Sequence, residues 1–421
     1  MNYIAYKENI LYCENIPISE LAEEYGTPLY VYSKNQIEEN FRSLNEALGD
    51  IDHLVCYALK ANANHHILKL LATEGAGADV VSAGELFLAM KAGFPPNKIV
   101  FAGVGKREDE IEFALQQDIF SFNVESVSEL HSISRAALRM GKKARISLRI
   151  NPDIDAQSHP YITTGLQSSK FGIEASKAIE VYTYAATLSS LELVGIHTHI
   201  GSQITKVEPF VATATCIVGL IGKLREAGIN LTHIDLGGGF GVQYVNAISH
   251  EALPQEDPLN SNGPTTTEFI AAVLPVLQPT GCSIWIEPGR SIIAEAGALV
   301  TRVISTKENA LKKFVIIDSG MNDLLRPSLY QAYHQIIPVS INTYETEKVD
   351  IVGPICESSD FFARDRLLAK SNAGDYLAVL TTGAYGFVLS SNYNGRPRPA
   401  EILVNGDRVR VIRPRQTIEE L

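Results

Sequence analysis

The sequence has few cysteines, and they form none of the patterns found in disulfide-rich or zinc-binding domains. Its 421 residues include five cysteines, an odd number, and no two of them stand in a CxxC pair. Disulfide frameworks and structural zinc sites need such paired spacing, so neither is expected here. We therefore expect reduced thiols in a cytoplasmic protein, at Cys13, Cys56, Cys216, Cys282 and Cys356.

Long apolar runs and low-complexity tracts are also missing. No run of about 18 apolar residues is present, so no transmembrane helix is expected. The first ten residues lack the basic and apolar regions of a signal peptide. The formal net charge of −12 argues against electrostatic binding to nucleic acid or to an anionic membrane. Hydrophobic residues form 45% of the chain and charged residues 20%, which is typical of a globular protein with two or three domains.

From about residue 50 to 290, short β-rich apolar runs alternate with longer helical segments. A representative helical segment opens with Ser126 and Glu129 and closes on Gly141. Eight strand–helix units favour a (β/α)8 TIM-type barrel over an open sheet. The eight runs are residues 53–59, 78–82, 98–104, 118–124, 144–151, 192–200, 232–240 and 282–289.

Polar residues gather at or just past the C-terminal ends of these runs. In a barrel of parallel strands those ends meet on one face, where active sites lie. The pattern therefore predicts a site built from several strands. The residues at these ends are Lys60, Asp79, Asn123, Arg149, Asn151, His197, His199, Gly237 to Gly239, and Glu287.

After about residue 290 the pattern changes to strands with turns and no long helices between them. This predicts a second, mainly antiparallel β domain, which the N-terminal segment completes. We place the barrel at residues 34–285 and the β domain at 1–33 and 286–421. The polar, turn-rich segment 245–269 is expected to be an exposed loop, and the loop 155–165 could close over a substrate.

The glycine-rich stretch DLGGGFG (235–241) follows the seventh strand. Three consecutive glycines let the backbone approach a ligand and can form a nest of N–H groups for an anion. A dinucleotide-binding fingerprint is excluded because it would need glycine where Val242 stands. A phosphate site and a simple tight turn both remain open.

Strands eight and six carry further candidates. Glu287 in IEPGR would place a carboxylate in the barrel mouth, with Arg290 beside it, although the two could simply form a salt bridge. His197 and His199 lie on one face of strand six. They could ligate zinc, stack on a flat ring, or be satisfied core histidines.

A lysine, a phosphate cradle, a carboxylate and a planar imidazole at one end of a barrel together indicate pyridoxal 5′-phosphate. Lys60 would bind the cofactor covalently, and Glu287 would keep the pyridine nitrogen protonated. His199 would cover one face of the ring. Ser202 and Gly237 to Gly239 would hold the phosphate.

Eight motifs, in order, extend this reading over nearly the whole chain. With them the sequence resembles the alanine-racemase-like (fold type III) pyridoxal-phosphate decarboxylases, and within these the diaminopimelate decarboxylases. The motifs are YALKANAN, NPDIDAQSHPYITTGLQSSKFGI, HTHIGSQ, DLGGGFG, EPGRSI, DSGMNDLLRPSLYQAYH, GPICESSDFFARD and GAYGFVLSSNYNGRPRPAE.

The resemblance implies a homodimer whose active sites lie between the barrel of one subunit and the β domain of the other. It makes Lys60 the covalent lysine and Cys356 the catalytic cysteine supplied by the second subunit. A buried, inert thiol is the alternative for Cys356. The other positions that the resemblance assigns to the cofactor are Asp79, Arg149, His199, Ser202, Gly238, Gly239, Glu287, Pro288, Gly289, Arg290 and Tyr385.

The resemblance further implies that meso-diaminopimelate is decarboxylated to L-lysine. Arg290, Arg326 and Tyr330 match a clamp for the distal carboxylate, and Glu357 would pair with the distal ammonium, with Tyr385 also near the substrate. Such a cationic clamp should repel the tail of ornithine or lysine. A basic amino-acid decarboxylase and an amino-acid racemase of the same fold remain alternatives.

Overall fold

The computed structural model describes residues 3–156, 164–166, 169–254 and 263–421, and the chain divides into two compact units. We call residues 41–241 and 263–291 the barrel unit, and residues 1–40, 242–262 and 292–421 the β unit. Within the described ranges, no helix combines the length and apolar character needed to cross a membrane.

The N-terminal part of the chain contains short strands and two helices. They are β1 (Ile4–Lys7), β2 (Ile10–Cys13), β3 (Ile16–Pro17), α1 (Ile18–Tyr25), β4 (Leu29–Ser33) and α2 (Lys34–Ala47). Strands β1 to β3 form a small sheet of their own. All five residues of β4 are buried, and this strand joins the large sheet of the β unit.

The barrel unit alternates strands and helices throughout. Its elements are β5 (His53–Ala58), α3 (His65–Thr73), β6 (Gly77–Val80), α4 (Ala83–Ala92), β7 (Ile99–Phe101), α5 (Glu108–Gln117), β8 (Ser121–Val124), α6 (Val127–Arg139), β9 (Ala144–Asn151), β10 (Ile173–Glu174), α7 (Ala178–Ala186), β11 (Leu191–His197), α8 (Glu208–Glu226), β12 (His233–Asp235), α9 (Thr266–Leu277) and β13 (Ser283–Ile286).

Eight parallel strands close into the predicted barrel, and β10 only extends one edge of β9. Strand β13 pairs with β5, which joins the last strand to the first, and β8 pairs with β9. Local signals set the helix ends: the Ser126 hydroxyl accepts a hydrogen bond from the Glu129 amide at the start of α6. The chain leaves this helix through Gly141, whose φ is +61°.

The last part of the chain, which belongs to the β unit from residue 292 onward, is mostly strand. Its elements are α10 (Arg290–Ile293), β14 (Gly297–Glu308), β15 (Lys313–Ile317), α11 (Arg326–Tyr330), β16 (Ile336–Pro338), β17 (Thr346–Val352), β18 (Phe361–Ala369), β19 (Tyr376–Val379), β20 (Ala400–Asn405) and β21 (Arg408–Arg413). The sheet runs β18-β17-β15-β14-β4-β20-β21, and all pairings but β15–β17 and β4–β20 are antiparallel. The predicted mainly antiparallel β domain is confirmed.

The expected exposed loop at 245–269 is wrong in two respects. Ile248 and Leu253 are buried in the apolar core of the β unit, and Gln335 exchanges two hydrogen bonds of 2.9 Å with the backbone of Ile248. The segment also ends in helix α9, which begins at Thr266. The overall polarity of the segment did not indicate that these two apolar residues would be buried. Residues 157–163, most of the expected lid, lie outside the described residues.

Candidate active site

Lys60 lies on the single 3₁₀ turn Leu59–Ala61 that follows β5. Its ammonium nitrogen Nζ is 2.9 Å from Oδ2 of Asp79 on the neighbouring strand β6, and β-pairing of Ala58 with Asp79 sets this approach. The Asp79 side chain is fully buried, whereas that of Lys60 is 35% exposed. A partly exposed amine, held by a buried carboxylate, therefore lies at the C-terminal end of the first barrel strand.

Glu287 follows β13 and is a buried carboxylate with hydrogen-bond partners on both oxygens. Its Oε1 accepts a hydrogen bond from the Asn123 amide at 3.0 Å, and its Oε2 is 3.2 Å from Nε2 of His197. Burial alone would raise the pKa of Glu287, but the charge and hydrogen bond of His197, together with Lys60, lower it. The carboxylate is therefore held in its ionised form.

Asp235, at the end of β12, is the second acid of this cluster. One ligand atom each from His197, Asp235 and Glu287 lie within 4.8 Å of one another, and all three side chains are buried. Burial and the nearby charge of Glu287 raise the pKa of Asp235 well above its usual range. Two carboxyl groups this close do not both ionise, so the proton resides on Asp235 and the negative charge on Glu287.

The glycine loop makes closer backbone contacts than a simple turn. A Cβ at Gly238 would lie 2.1 Å from the carbonyl oxygen of Glu287, and Gly237 and Gly239 have φ of +66° and +103°. The Gly237 N–H donates to Oδ1 of Asp235 at 2.9 Å, and the Gly238 N–H donates to Nδ1 of His199 at 3.1 Å. Two of the three N–H groups are therefore used within the protein, so fewer N–H groups face a ligand than the composition of the loop suggests.

His199 presents a neutral ring to the barrel mouth. Since Nδ1 accepts the Gly238 N–H, the ring proton is on Nε2. Burial, together with the charges of Arg149 and Lys60, lowers the pKa of His199 well below its usual range. Arg149 binds Glu125 at 2.7 Å and donates to the His199 carbonyl oxygen at 3.3 Å. Arg149 thus holds the backbone that carries the ring.

Arg290 and Ser202 come together on the same side of the barrel unit. The Nη2 of Arg290 donates to the Ser202 hydroxyl oxygen at 3.0 Å. Pro288 and Gly289 stay close to β5: the Pro288 carbonyl accepts the Ala58 N–H at 3.1 Å.

The β unit carries the remaining predicted residues. Arg326 is buried at the start of α11, and Tyr330 is half-buried at its end. Tyr385 has a φ of +55°, a strained conformation for a bulky residue and one that clusters at functional sites. Cys356 is exposed, and its N–H donates to the Asn394 side-chain oxygen at 2.8 Å.

Glu357 is held by two residues that the sequence analysis did not single out. Its two carboxylate oxygens accept hydrogen bonds from the Ser359 hydroxyl at 2.6 Å and from the Tyr393 hydroxyl at 2.9 Å. These two hydrogen bonds lower the pKa of Glu357. A fixed, exposed carboxylate thus comes directly after the exposed Cys356 in the chain.

Residues 34–294 match a family model described as "Pyridoxal-dependent decarboxylase, pyridoxal binding domain". The chain is also 47% identical over 418 residues to a diaminopimelate decarboxylase of Aquifex aeolicus, covering 99% of this chain and 96% of that protein. The chain belongs to the pyridoxal-dependent decarboxylase family. Pyridoxal phosphate is therefore its cofactor, as predicted, and it is a carboxy-lyase.

The chain is also similar in sequence and structure to solved structures of the same family. Diaminopimelate decarboxylase of Helicobacter pylori complexed with L-lysine is 44% identical, with a TM-score of 0.89, and the match covers 96% of this chain and 98% of that one. The enzyme of M. jannaschii in co-complex with L-lysine is 38% identical, with a TM-score of 0.92, and the match covers 100% and 96% of the two chains.

The barrel mouth of this decarboxylase fits the family's cofactor. An amine, an ionised buried carboxylate and a neutral flat imidazole meet there, and the glycine loop leaves no room for side chains. The buried Oδ1 of Asp79 has no recorded hydrogen-bond partner among the described residues, so the pocket also retains an unused acceptor. These are the groups that an aldehyde, a pyridinium ring and a phosphate require.

Sequence reasoning found the groups at strand ends but missed those that support them. Asp235 was read only as the start of the glycine motif, and Asn123 was noted without a role. Asn123 reaches Glu287 across 164 positions of sequence. Only the rule that strand ends converge could have indicated this contact. Tyr393 and Ser359 left no comparable signal.

Proposed function

We propose that this chain decarboxylates meso-2,6-diaminopimelate to L-lysine and CO2, the last step of lysine biosynthesis. The observation that carries the proposal is the full-length match to relatives named diaminopimelate decarboxylase, at 47% identity over 99% of this chain. Structures of two relatives in complex with L-lysine, the product of this reaction, support it.

The barrel residues hold pyridoxal phosphate, which when bound supplies a protonated ring that accepts the electron pair released at the substrate carbon. Lys60 Nζ would be the covalent attachment point, and Glu287 would face the pyridine nitrogen. His199 would cover the ring with an uncharged face. The spacing of the cluster around Glu287 would also surround a metal ion, but we assign it to the ring nitrogen because the family's cofactor needs a carboxylate there.

The phosphate group would be held by Ser202, Arg290 and the N–H of Gly239. Arg290 brings a guanidinium to the Ser202 hydroxyl, so both can contact one anion. Gly237 and Gly238 act indirectly, because their N–H groups orient Asp235 and His199. Their small size keeps the loop against Glu287.

The β unit would supply the proton and most of the substrate's distal contacts. Arg326 and Tyr330, with Arg290, bind the distal carboxylate, and Glu357 binds the distal ammonium, with Tyr385 beside the substrate. Loss of the reacting carboxylate as CO2 leaves an electron pair on the substrate carbon. The Cys356 thiol gives its proton to that carbon, which completes L-lysine.

We further propose that the enzyme is a cytoplasmic homodimer in which one subunit's barrel works with the other subunit's β unit. The five free cysteines are consistent with a reducing compartment. The exposure of both Cys356 and Glu357 is consistent with a surface that a second subunit completes.

The direct test is product identification. Purified enzyme loaded with pyridoxal phosphate should convert meso-diaminopimelate to lysine, identified by mass spectrometry, with one CO2 released per lysine. Ornithine and arginine, offered at the same concentration, should release CO2 at less than about 1% of that rate, since one misplaced charge costs several kcal/mol. Equal or faster release from ornithine would make it a basic amino-acid decarboxylase instead. Isomerisation without CO2 would make it a racemase.

Replacing Cys356 with alanine should lower kcat about 100-fold, because general acids contribute roughly 10²- to 10⁴-fold. The affinity for pyridoxal phosphate, measured by titrating its visible absorption, should change less than about twofold. The two measurements together therefore distinguish a loss of proton donation from a loss of cofactor binding.

Cys216→Ala is the matched control, since Cys216 is a free, partly buried cysteine on α8 of the barrel unit with no proposed role. It should retain wild-type kcat. If Cys356→Ala lost turnover and cofactor affinity together, Cys356 would be a structural residue, and the proton donor would have to be sought elsewhere.

A further inference from the structure

The guanidinium of Arg326 is held by two neighbours that have no assigned role. Its Nε donates to Nε2 of His334 at 3.3 Å. Its central carbon lies 5.0 Å from the centre of the Tyr244 ring. Arg326 and His334 are 6% and 0% exposed, so this contact is shielded from water. All three residues belong to the β unit.

The partners of His334 fix the position of its ring proton. Nδ1 lies 2.8 Å from the carbonyl oxygen of Leu380, and a carbonyl oxygen only accepts hydrogen bonds. The proton is therefore on Nδ1, and the lone pair on Nε2 accepts the Arg326 N–H. A doubly protonated ring could not accept it and would repel the guanidinium.

Tyr244 completes the support and links it to the chain after the seventh barrel strand. Its ring meets the His334 ring edge-on, with centroids 5.0 Å apart and planes at 85°. Its ring face lies against the guanidinium in a cation–π contact. Four residues further on, Ile248 is paired with Gln335, which anchors the segment.

This arrangement determines how Arg326 can bind a carboxylate. With Nε used by His334, an incoming carboxylate can form two parallel hydrogen bonds only with the terminal nitrogens Nη1 and Nη2. An Arg326 without His334 could rotate and offer Nε instead. The hydrogen bond that Arg326 donates to His334 therefore selects one orientation of the guanidinium plane.

We propose that His334 is a positioning residue for substrate specificity, which orients Arg326 for the distal carboxylate of the substrate. The proposal rests on the proposed function, because it takes Arg326 as the distal clamp. It deepens that function by assigning the specificity for a carboxylate to a His334–Arg326 pair rather than to Arg326 alone.

Two substitutions of His334 distinguish the role of Nδ1 from the role of Nε2. Asparagine places its amide near Nδ1, so H334N can keep the bond to Leu380 but loses the acceptor for Arg326. Glutamine reaches the Nε2 position, so H334Q can restore that acceptor. H334N should raise KM for meso-diaminopimelate about tenfold, as expected for a lost hydrogen bond to a charged group, and change kcat less than about twofold. H334Q should recover KM to within about threefold of wild type.

Inhibition by L-lysine and by cadaverine tests recognition of the distal carboxylate specifically. L-lysine retains the carboxylate of the unreacted end, whereas cadaverine is the same chain without it. H334N should weaken inhibition by L-lysine about tenfold and leave inhibition by cadaverine unchanged. A merely structural role would weaken both inhibitors equally, and that outcome would overturn the proposal.

A double-mutant cycle distinguishes a specific effect on Arg326 from general misfolding of the H334N variant. In an R326M background, H334N should have no further effect on L-lysine inhibition, since the group it orients is gone. Additive effects would show that His334 acts without Arg326 and would overturn the proposal. H250N is the control, because His250 also bonds a backbone carbonyl of the β unit, that of Glu8 at 3.1 Å, and should behave as wild type.

If wild-type enzyme released no lysine from meso-diaminopimelate, the proposed function would fail. Failure of the proposed function is therefore distinguishable from failure of the proposed role of His334.

Discussion

Replacing Lys60 with alanine should lower kcat/KM by at least about 1,000-fold and remove covalent attachment of the cofactor, as is usual when a covalent catalytic group is deleted. In the wild-type enzyme, borohydride reduction should fix pyridoxal phosphate to one peptide, that containing Lys60. Peptide mass spectrometry reads this directly. The visible absorption of the protein-bound cofactor should change in the variant even where the cofactor still binds.

Alanine also removes the partner of a buried acid, so a second variant is needed. Asp79 is fully buried 2.9 Å from the Lys60 ammonium, and burial and Glu287 already raise its pKa. Lys60→Arg keeps a cation beside Asp79 but lacks an amine that can bind the aldehyde. It should be as stable as wild type and as inactive as Lys60→Ala. Borohydride labelling of another lysine in wild type would refute the assignment.

The position of Lys60 at the end of a strand was predictable because the residues before it form a local strand pattern. Residues 53–58 form a buried strand, and the amine comes two residues after it, so alternation and position sufficed. Strand β4 was missed for the opposite reason. Its five residues are buried on both faces and show no alternation, and its partners β14 and β20 lie over 260 residues away in sequence.

The hydrogen-bond partners of the glycine loop could not be predicted from its local sequence. Its composition predicted an N–H nest for an anion, yet Gly237 and Gly238 donate to Asp235 and His199. Which N–H groups are available depends on how closely the loop approaches the ends of β11 and β13, and that distance is a tertiary property. The same holds for His334, which reads as an ordinary polar residue until Arg326 is placed beside it.

Replacing Glu287 with glutamine should lower kcat about 1,000-fold, at the upper end of what loss of one preorganised electrostatic contact costs. Glutamine keeps the size of the side chain and can still bond to Asn123 or His197, but it carries no charge to keep a ring nitrogen protonated. Covalent labelling of Lys60 should persist, because the amine is untouched. Steady-state kinetics together with the labelling assay therefore separates this defect from that of Lys60→Ala.

Asp235→Asn is the matched control for that experiment. Asp235 lies in the same cluster but holds its proton, so asparagine replaces a neutral acid with a neutral amide of the same shape. Its kcat should fall less than about tenfold, well short of the loss in Glu287→Gln. If the two variants lost equal activity, the negative charge would be shared, and Glu287 alone could not be the partner of the ring.

The stability of Asp235→Asn against pH gives an independent check on where the proton resides. A carboxyl whose pKa is raised by folding costs stability above its unfolded pKa, because the unfolded chain releases a proton that the folded chain retains. Removing Asp235 removes this cost. At pH 7 the variant should therefore melt no lower than wild type, and any advantage should shrink as the pH falls towards about 4, where unfolded aspartate is protonated as well. A variant that is less stable at pH 7 and recovers in acid would mean that Asp235 is ionised, and that Glu287 shares its charge with a second carboxylate.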